Sequence, residues 1–579
     1  LLFLVFVVLS VYYPTLFADF NSVDDRKMVD SLLNTDVFRF KDIFLPGGSG
    51  YYYRPLLWSS FIFDKYVWDL HHSFMHLENI LLHALNTLFV YFIAVCTARR
   101  YEVNSPYLPL CSALLFALHP VNTEAVNWVS GRTDLLAGFF MLLSLLLLLL
   151  ALVKNRGLLV LPAAAAFFLS CLAKEVTVLF YPAALCLIVF FDGREPLTAR
   201  YCLNKAKERF FPFLAFTGAA AAYFLLRGLA YKRGDSGIKL AVEGVAKHSE
   251  QAVNVYLVMA DKARIILKAF GFYGKKIFVP WPLNFGIVKI SNYYVVLGIL
   301  LVLIGVYLLY RRDLIAGLLL TSMAIIAPAF LVPLGRMAWT PVAERYLYIP
   351  SATFAVAIVI IAYGLISKAR LEKASLLAVP IFFMAAGYSS AARNIVWQSN
   401  LTLFEDTVRK SPDFPSAKNE LATALIDAGK TEEGFKLLKE NRYPDLKKNR
   451  EFAALCRVSV LVHEKDFEGA RRLLLTNMNE ASDYYRDVLK QLIDVDGERL
   501  AFTTSKAKQA EIRVEQAELY KKLHAKTGDP LYLYKTGQMY LFMGKNAVAR
   551  QFFAKAYDAA PENAFYRLAA KKLAEKLQQ

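Results

Sequence analysis

Two adjacent carboxylates, Asp24-Asp25, stand a few residues beyond an uncharged apolar run, Leu1 to Phe17. A run of this length is close to a membrane span, so acids just past its end lie where water, lipid headgroups and soluble partners meet. An aspartate near its ordinary pKa of about 4 is a weak general base, but burial or a like-charged neighbour raises the value, and each member of the pair supplies the other with that neighbour. One is then a base and the other an orienting group, in an order the sequence leaves open. The plainer alternative is a solvated loop with ordinary acids.

Charged and polar residues recur in other segments that flank apolar runs: Arg54, His119 with Glu124, Arg132 with Asp134, Lys174-Glu175, Arg336 and Glu344-Arg345-Tyr346. At membrane depth, low dielectric strengthens ion pairing, so converging cations there suit a phosphate. Each is otherwise a snorkelling or salt-bridged residue. His76, Asn79, His83 and Asn86 follow i, i+3, i+7 and i+10 spacing, which puts them on one helical face lining a cavity or a helix contact. A metal site from His71, His72, His76 and His83 is the rival reading. No carboxylate joins them at a motif spacing, and hydrogen-bonded structural histidines are the better expectation.

These residues need a membrane body to position them. The chain has 579 residues, is 56% hydrophobic and 14% aromatic, and has a mean hydropathy of +0.37. That is too apolar for a soluble enzyme and too long for one domain. Apolar runs near residues 1–17, 77–97, 106–119, 135–153, 157–173, 176–191, 210–230, 293–310, 314–333, 346–366 and 375–391 predict about eleven transmembrane helices. A cleaved signal peptide is the alternative for the first run, but no small-residue cleavage site separates it from Asp24. The net charge of +18 forms no nucleic-acid-binding stripe. It falls instead in alternate loops: Arg99-Arg100, Lys154 with Arg156, the segment through Arg200, Lys205, Lys207 and Arg209, Arg311-Arg312, and Lys368 to Lys373. The positive-inside rule makes these cytoplasmic and puts the Asp24-Asp25 loop outside. Residues 261–282 are apolar but carry Lys262, Arg264, Lys268, Lys275 and Lys276, which suits an interfacial or re-entrant helix better than a span. The six cysteines lie mostly in or beside apolar runs and form no disulfide framework or metal knuckle.

The expected domains are a membrane body, 1–391, and an extracytoplasmic helical array, 392–579. In the second, Leu533, Gly537, Tyr540, Gly544, Ala549, Phe553, Ala556 and Pro561 match a tetratricopeptide repeat, and weaker copies precede them. Such repeats stack into a solenoid with a concave face suited to extended peptides. A plain helical bundle is the alternative. The fold class is all-α throughout.

The stretches Tyr53-Arg54-Pro55-Leu56, Phe116 to Val126, Gly131 to Ala137 and Ala343 to Ser351 resemble those of the transmembrane and tetratricopeptide-repeat-containing O-mannosyltransferases, within the GT-C class of membrane glycosyltransferases. The resemblance implies inverting transfer of a mannose-like sugar from a polyprenyl-phosphate donor to Ser/Thr hydroxyls, with Asp24 and Asp25 at the reaction centre. Arg345, supported by Glu344, is the first choice to clamp the phosphate. Arg54, Arg132, Lys174 and Arg336 are reserves, and His76, Asn79, His83, His119, Glu124 and Tyr346 are further pocket candidates. Because a phosphate monoester's second pKa is near ~6, the group leaves without a general acid if cations neutralise its charge. The scheme requires neither metal nor other cofactor. Fewer recognisable repeats than in animal members suggest a bacterial-type enzyme in the inner membrane, taking a lipid-linked donor and polypeptide acceptors. A cell-envelope lipid or glycan glycosyltransferase of the same fold and a non-enzymatic membrane scaffold are the rival readings.

Overall fold

The computed structural model describes residues 1–33, 40–46, 52–154, 156–190, 198–230, 255–335, 339–441, 447–482, 484–560, 564 and 566–577. Among these the chain is helical, with no β-structure beyond one bridge between Ile287 and Val342. It divides into two compact units, Leu1–Ser411 and Pro412–Gln579.

Seven helices of the first unit are long and apolar enough to cross a membrane: His72–Arg100, Val129–Val153, Phe210–Ala230, Tyr294–Arg311, Leu314–Leu334, Glu344–Lys368 and Glu372–Val396. They make the chain an integral membrane protein. The four other runs read as spans fall on shorter apolar helices, Leu2–Phe17, Tyr107–Ala117, Gly157–Ala173 and Glu175–Val189. The charged segment forms helix Val255–Phe278, which is not among the seven. Its glycines let it approach Tyr294–Arg311 at backbone distance. A Cβ on Gly271 would collide with the Tyr294 carbonyl, and one on Gly298 with that of Leu267, the small-residue device of membrane helix packing.

Two apolar cores organise this unit. The larger joins Leu4, Val90, Phe116, Leu145, Phe167 and Val356 from helices distant in sequence. The second holds Tyr273, Ile326, Val342, Leu347 and Phe354. A satellite cluster of Met28, Leu32, Leu57, Phe61, Met75 and Val129 seats the short helix Asp25–Leu33 on Pro55–Trp68. The unit extends to Ser411 because helix Asn400–Lys410 is tied back. Asn400 accepts from the Ser22 amide and donates to the Phe20 carbonyl, at 3.0 and 2.9 Å.

In the second unit, consecutive helices from Pro415–Asp427 to Arg567–Lys576 pack against one another. Ala549, Phe553 and Ala556 are buried, and a Cβ on Gly537 would meet the Phe553 ring at 2.7 Å. Gly544 takes a positive φ of 71° after helix Leu531–Phe542, a position glycine fills without a Cβ penalty. Pro561 lies outside the described residues.

Candidate active site

Asp24 and Asp25 are adjacent but occupy different environments. Asp25 opens helix Asp25–Leu33 and is buried, with Oδ2 accepting from the Asn21 amide at 3.1 Å and Oδ1 from the Ser130 amide and hydroxyl at 2.9 and 2.5 Å. It therefore holds one loop against another. Burial first, with the charge of Asp24 adding, pushes its carboxyl up to about 6 against the pull of these donors. Asp24 is exposed, and among the described residues its carboxylate makes no hydrogen bond or ion pair. It stands in a recess with protein on most sides. Loss of hydration there raises its pKa, opposed by the charges of Arg345, Lys27 and Arg54.

Three cations come from three separate segments. Arg54, just before helix Pro55–Trp68, forms a bidentate pair with Glu175 at 2.9 and 2.6 Å and lies 4.2 Å from the centre of the Tyr52 ring. Lys174 donates to Asp134 at 2.6 Å and stands over the Tyr346 ring at 5.3 Å. Burial lowers this ammonium below its usual value, against the pull of Asp134. Arg345 donates through Nη1 to Glu124 at 2.5 Å and stacks at 4.8 Å over Trp128 and 5.0 Å over Tyr346. Arg345 and Arg54 keep 16% and 18% of their side-chain surface open, so both border the recess. Their guanidinium groups and the Lys174 ammonium each retain N–H donors outside these pairs, since Arg has five and Lys three.

Glu124 fixes Arg345. Its Oε1 takes the guanidinium, and its Oε2 accepts the amides of Glu344 and Arg345 at 3.0 and 3.2 Å. Burial raises the Glu124 carboxyl, and Arg345 opposes that rise. Glu344, expected to support Arg345, turns away and binds Lys276 at 2.5 Å and the Asn284 amide at 3.1 Å. The two neighbours sit in the tight helix Glu344–Leu347, where successive side chains project in different directions.

Arg132 belongs to the interior. It is 1% exposed and donates to Asp64 at 2.5 Å, Asn79 at 3.1 Å and the Met75 carbonyl at 2.9 Å, with Glu78 at 2.9 Å. It has no face toward the recess. Burial, with the Glu78 carboxylate adding, raises the Asp64 carboxyl against the pull of Arg132. Gly131 permits the turn before Arg132, because a Cβ there would collide with the Ala125 carbonyl.

Of the remaining candidates, His83 bonds Tyr348 OH at 2.9 Å and the Ala117 carbonyl at 3.1 Å, and Asn79 donates to the Trp128 carbonyl at 2.9 Å. His119 meets the Ile277 carbonyl at 2.9 Å. His76 is buried in helix His72–Arg100, beside the Ala18 backbone. These four sit at helix contacts. Tyr346 is the platform between Lys174 and Arg345. Arg336 lies outside the described residues, and among those described no three His, Cys, Asp or Glu converge as a metal site. Sequence reasoning passed over Ser130, which holds Asp25, Trp128, which faces Arg345, and Asp64 and Glu78, which enclose Arg132; Lys276, the partner of Glu344, it read only as a charge in an interfacial helix. The one signal was the costly charge of Lys276 in an apolar segment.

The fold and charged recess define a polytopic helical membrane protein with a carboxylate and several cations at one end of its spans. No protein-family model matches the chain, and no solved structure matches it. Among curated proteins it is 37% identical to the protein O-mannosyl-transferase TMTC1 of Mus musculus over 91 residues, 16% of this chain and 9% of that protein. It is 37% identical to the Homo sapiens protein O-mannosyl-transferase TMTC2 over 146 residues, 23% of this chain and 17% of that protein. With Homo sapiens TMTC4 the figures are 40% over 101 residues, 16% and 14%. Each match thus spans less than a fifth of the relative's length. Over these stretches the chain is similar to the TMTC protein O-mannosyl-transferases. These three relatives are from mouse and human, and they lend no support to the expected bacterial-type membership.

Proposed function

We propose that the chain is an inverting glycosyltransferase that moves mannose from a polyprenyl-phosphate donor to Ser/Thr hydroxyls of extracytoplasmic proteins. The observation that carries this reading is the Asp24 carboxylate, unpaired among the described residues and exposed in a recess within the fields of Arg345 and Arg54. The names of the relatives, protein O-mannosyl-transferases, supply the sugar and the protein acceptor. In the reaction, the acceptor oxygen attacks the anomeric carbon from the face opposite the phosphate, and its proton passes to the Asp24 carboxylate. The bond from that carbon to the phosphate oxygen breaks, and its electron pair leaves with the polyprenyl phosphate. Arg345, with Lys174 and Arg54, meets the growing negative charge through charge-assisted hydrogen bonds. Asp25 positions Asp24 by locking the loop at Ser130. The chemistry requires no metal or other cofactor.

The basic loops favour a cytoplasmic side opposite the recess. The helices of Pro412–Gln579, read as degenerate tetratricopeptide pairs, engage the polypeptide acceptor. Transfer from polyprenyl-phosphate [14C]mannose to a Ser/Thr peptide by the purified protein in lipid nanodiscs is the test, with inversion read from the product anomer. Arg345→Ala raises the donor KM about 10- to 100-fold, the worth of one or two hydrogen bonds to a charged group. An unchanged donor KM and kcat in that variant moves the clamp to Lys174 and Arg54, and absence of any transfer by the wild type refutes the reading.

A further inference from the structure

Helix Pro55–Trp68 and the span His72–Arg100 are joined by a turn in which two successive residues, Asp69 and Leu70, take left-handed φ angles of 49° and 55°. Neither is glycine, so the turn is strained and persists because side chains clasp it. Trp68 donates through Nε1 to Glu78 at 2.7 Å and stacks on Phe74 at 4.6 Å. Deeper in, Nη1 of Arg132 is shared by Asp64 at 2.5 Å and Glu78 at 2.9 Å, one carboxyl from each side of the turn.

Two carboxylates on one guanidinium leave a negative charge over. Asp64 is fully buried, and its Oδ1 is enclosed without a hydrogen-bond donor among the described residues. An uncompensated charge and an unsatisfied acceptor are both costly in such a place. The charged groups acting on Asp64 are Arg132 and Glu78. Helix Arg132–Val153 also carries Asp134, but Lys174 holds it, and His76 of the span lies beyond Arg132. Val160–Ala173 has no charged residue, and Asp25–Leu33 meets Pro55–Trp68 through Met28, Leu32 and the Lys65 ammonium on the Leu32 carbonyl. One proton between the carboxyls removes both faults, because it cancels the surplus charge and supplies a donor. Glu78, 23% exposed, gives that proton a path to water. Burial pushes the Asp64 carboxyl up to about 7, against the pull of Arg132 and with Glu78 adding.

We propose that Asp64 and Glu78 take up one proton between them on Arg132, and that this proton latches helix Pro55–Trp68 to the span His72–Arg100. When it leaves, the two carboxylates repel each other across one guanidinium and the strained turn relaxes. The helix follows Arg54 and seats Asp25–Leu33 through Met28, Leu57 and Phe61, so release loosens two walls of the charged recess. The latch does not depend on which reaction the recess performs. Because the folded pair holds its proton more tightly than the unfolded chain does, its stabilisation is complete below the ordinary carboxyl value of about 4. It is lost as pH rises through about 7.

The test uses the full chain in phosphatidylcholine nanodiscs and requires no turnover. It is made in the Asp25→Asn background, because Asp25 titrates in a neighbouring range. Infrared difference spectra from about pH 5 to 9 should contain a protonated-carboxyl band that disappears in both Asp64→Asn and Glu78→Gln. A band that survives in either variant overturns the sharing. Hydrogen exchange of residues 55–68, corrected for its intrinsic pH dependence, should speed up by as much as about tenfold per pH unit above the midpoint. Asp64→Asn, which keeps an oxygen for Arg132 and cannot ionise, should hold that exchange constant. Corrected exchange that does not change with pH in the parent chain overturns the latch, and this measurement stands even where a variant fails to fold.

Discussion

Asp24→Asn and Asp25→Asn are the same chemical change one residue apart, and the structure predicts different results. The Asp24 carboxylate carries no hydrogen bond among the described residues and the residue is exposed, so replacing it removes a charge and little packing. Loss of a positioned base lowers turnover by roughly 10² to 10⁴ with the melting temperature unchanged. Asp25 holds three donors. An asparagine keeps its oxygen on the Ser130 amide and hydroxyl, but its NH₂ then faces the Asn21 amide, leaving an unsatisfied donor that costs about 1–3 kcal/mol. Relief of a buried charge offsets part of that cost. Asp25→Asn should therefore transfer sugar within about tenfold of wild type and differ mainly in stability.

The two stabilities also separate with pH. Burial raises the Asp25 carboxyl to about 6, above its unfolded value, so its favourable contribution is complete below about 4. That contribution is lost as pH rises through about 6. The wild type should lose stability across this window relative to Asp25→Asn. Activity runs the other way. The Asp24 base must be ionised, so the rate falls as pH drops through its raised pKa, and the Asp24→Asn variant shows no such limb. Single-turnover transfer and thermal melts in nanodiscs between pH 4 and 8 read both. If Asp24→Asn transfers at the wild-type rate, or if Asp25→Asn is the inactive and stable variant, the assignment of base and brace is wrong.

Arg132→Met breaks the buried pair with Asp64 and should destabilise the membrane unit by about 3–5 kcal/mol, while Arg132→Met with Asp64→Leu should recover much of that loss by thermal melting. If the single variant is as stable as wild type and loses only donor affinity, Arg132 belongs with the phosphate cations. Cysteines introduced at Lys27 and Lys205 should react with an impermeant thiol reagent from opposite faces of oriented membranes, and labelling from the same face overturns the sidedness. Ending the chain at Ser411, where the first compact unit closes, should leave that unit folded and able to glycosylate short peptides. Transfer to large protein acceptors should fall sharply, because the second anchoring point and its effective concentration are gone. Equal activity on both acceptors removes the acceptor-docking role from Pro412–Gln579.

The sequence by itself determined the helical class, the apolar runs and the segments that carry charge. These follow from local composition: about twenty apolar residues leave a chain few options in lipid, and lipid forces backbone polar groups into helices. It also singled out Arg54, Lys174, Arg345 and the acidic pair, because charges beside apolar runs are costly wherever they fall. It could not say which charges meet. Arg132 and Arg345 look alike as arginines beside acids, yet one is enclosed by Asp64, Glu78 and Asn79 while the other is steered by Glu124 and two aromatic faces into the recess. Asp24 and Asp25 differ by one position. A single step along the chain at a helix start turns one side chain inward onto Ser130 and leaves the other open, and only the packing of helix Asp25–Leu33 on Pro55–Trp68 selects which. Pairing across more than two hundred residues, as between Glu124 and Arg345, is set by how the helices pack and leaves no periodic trace in the chain.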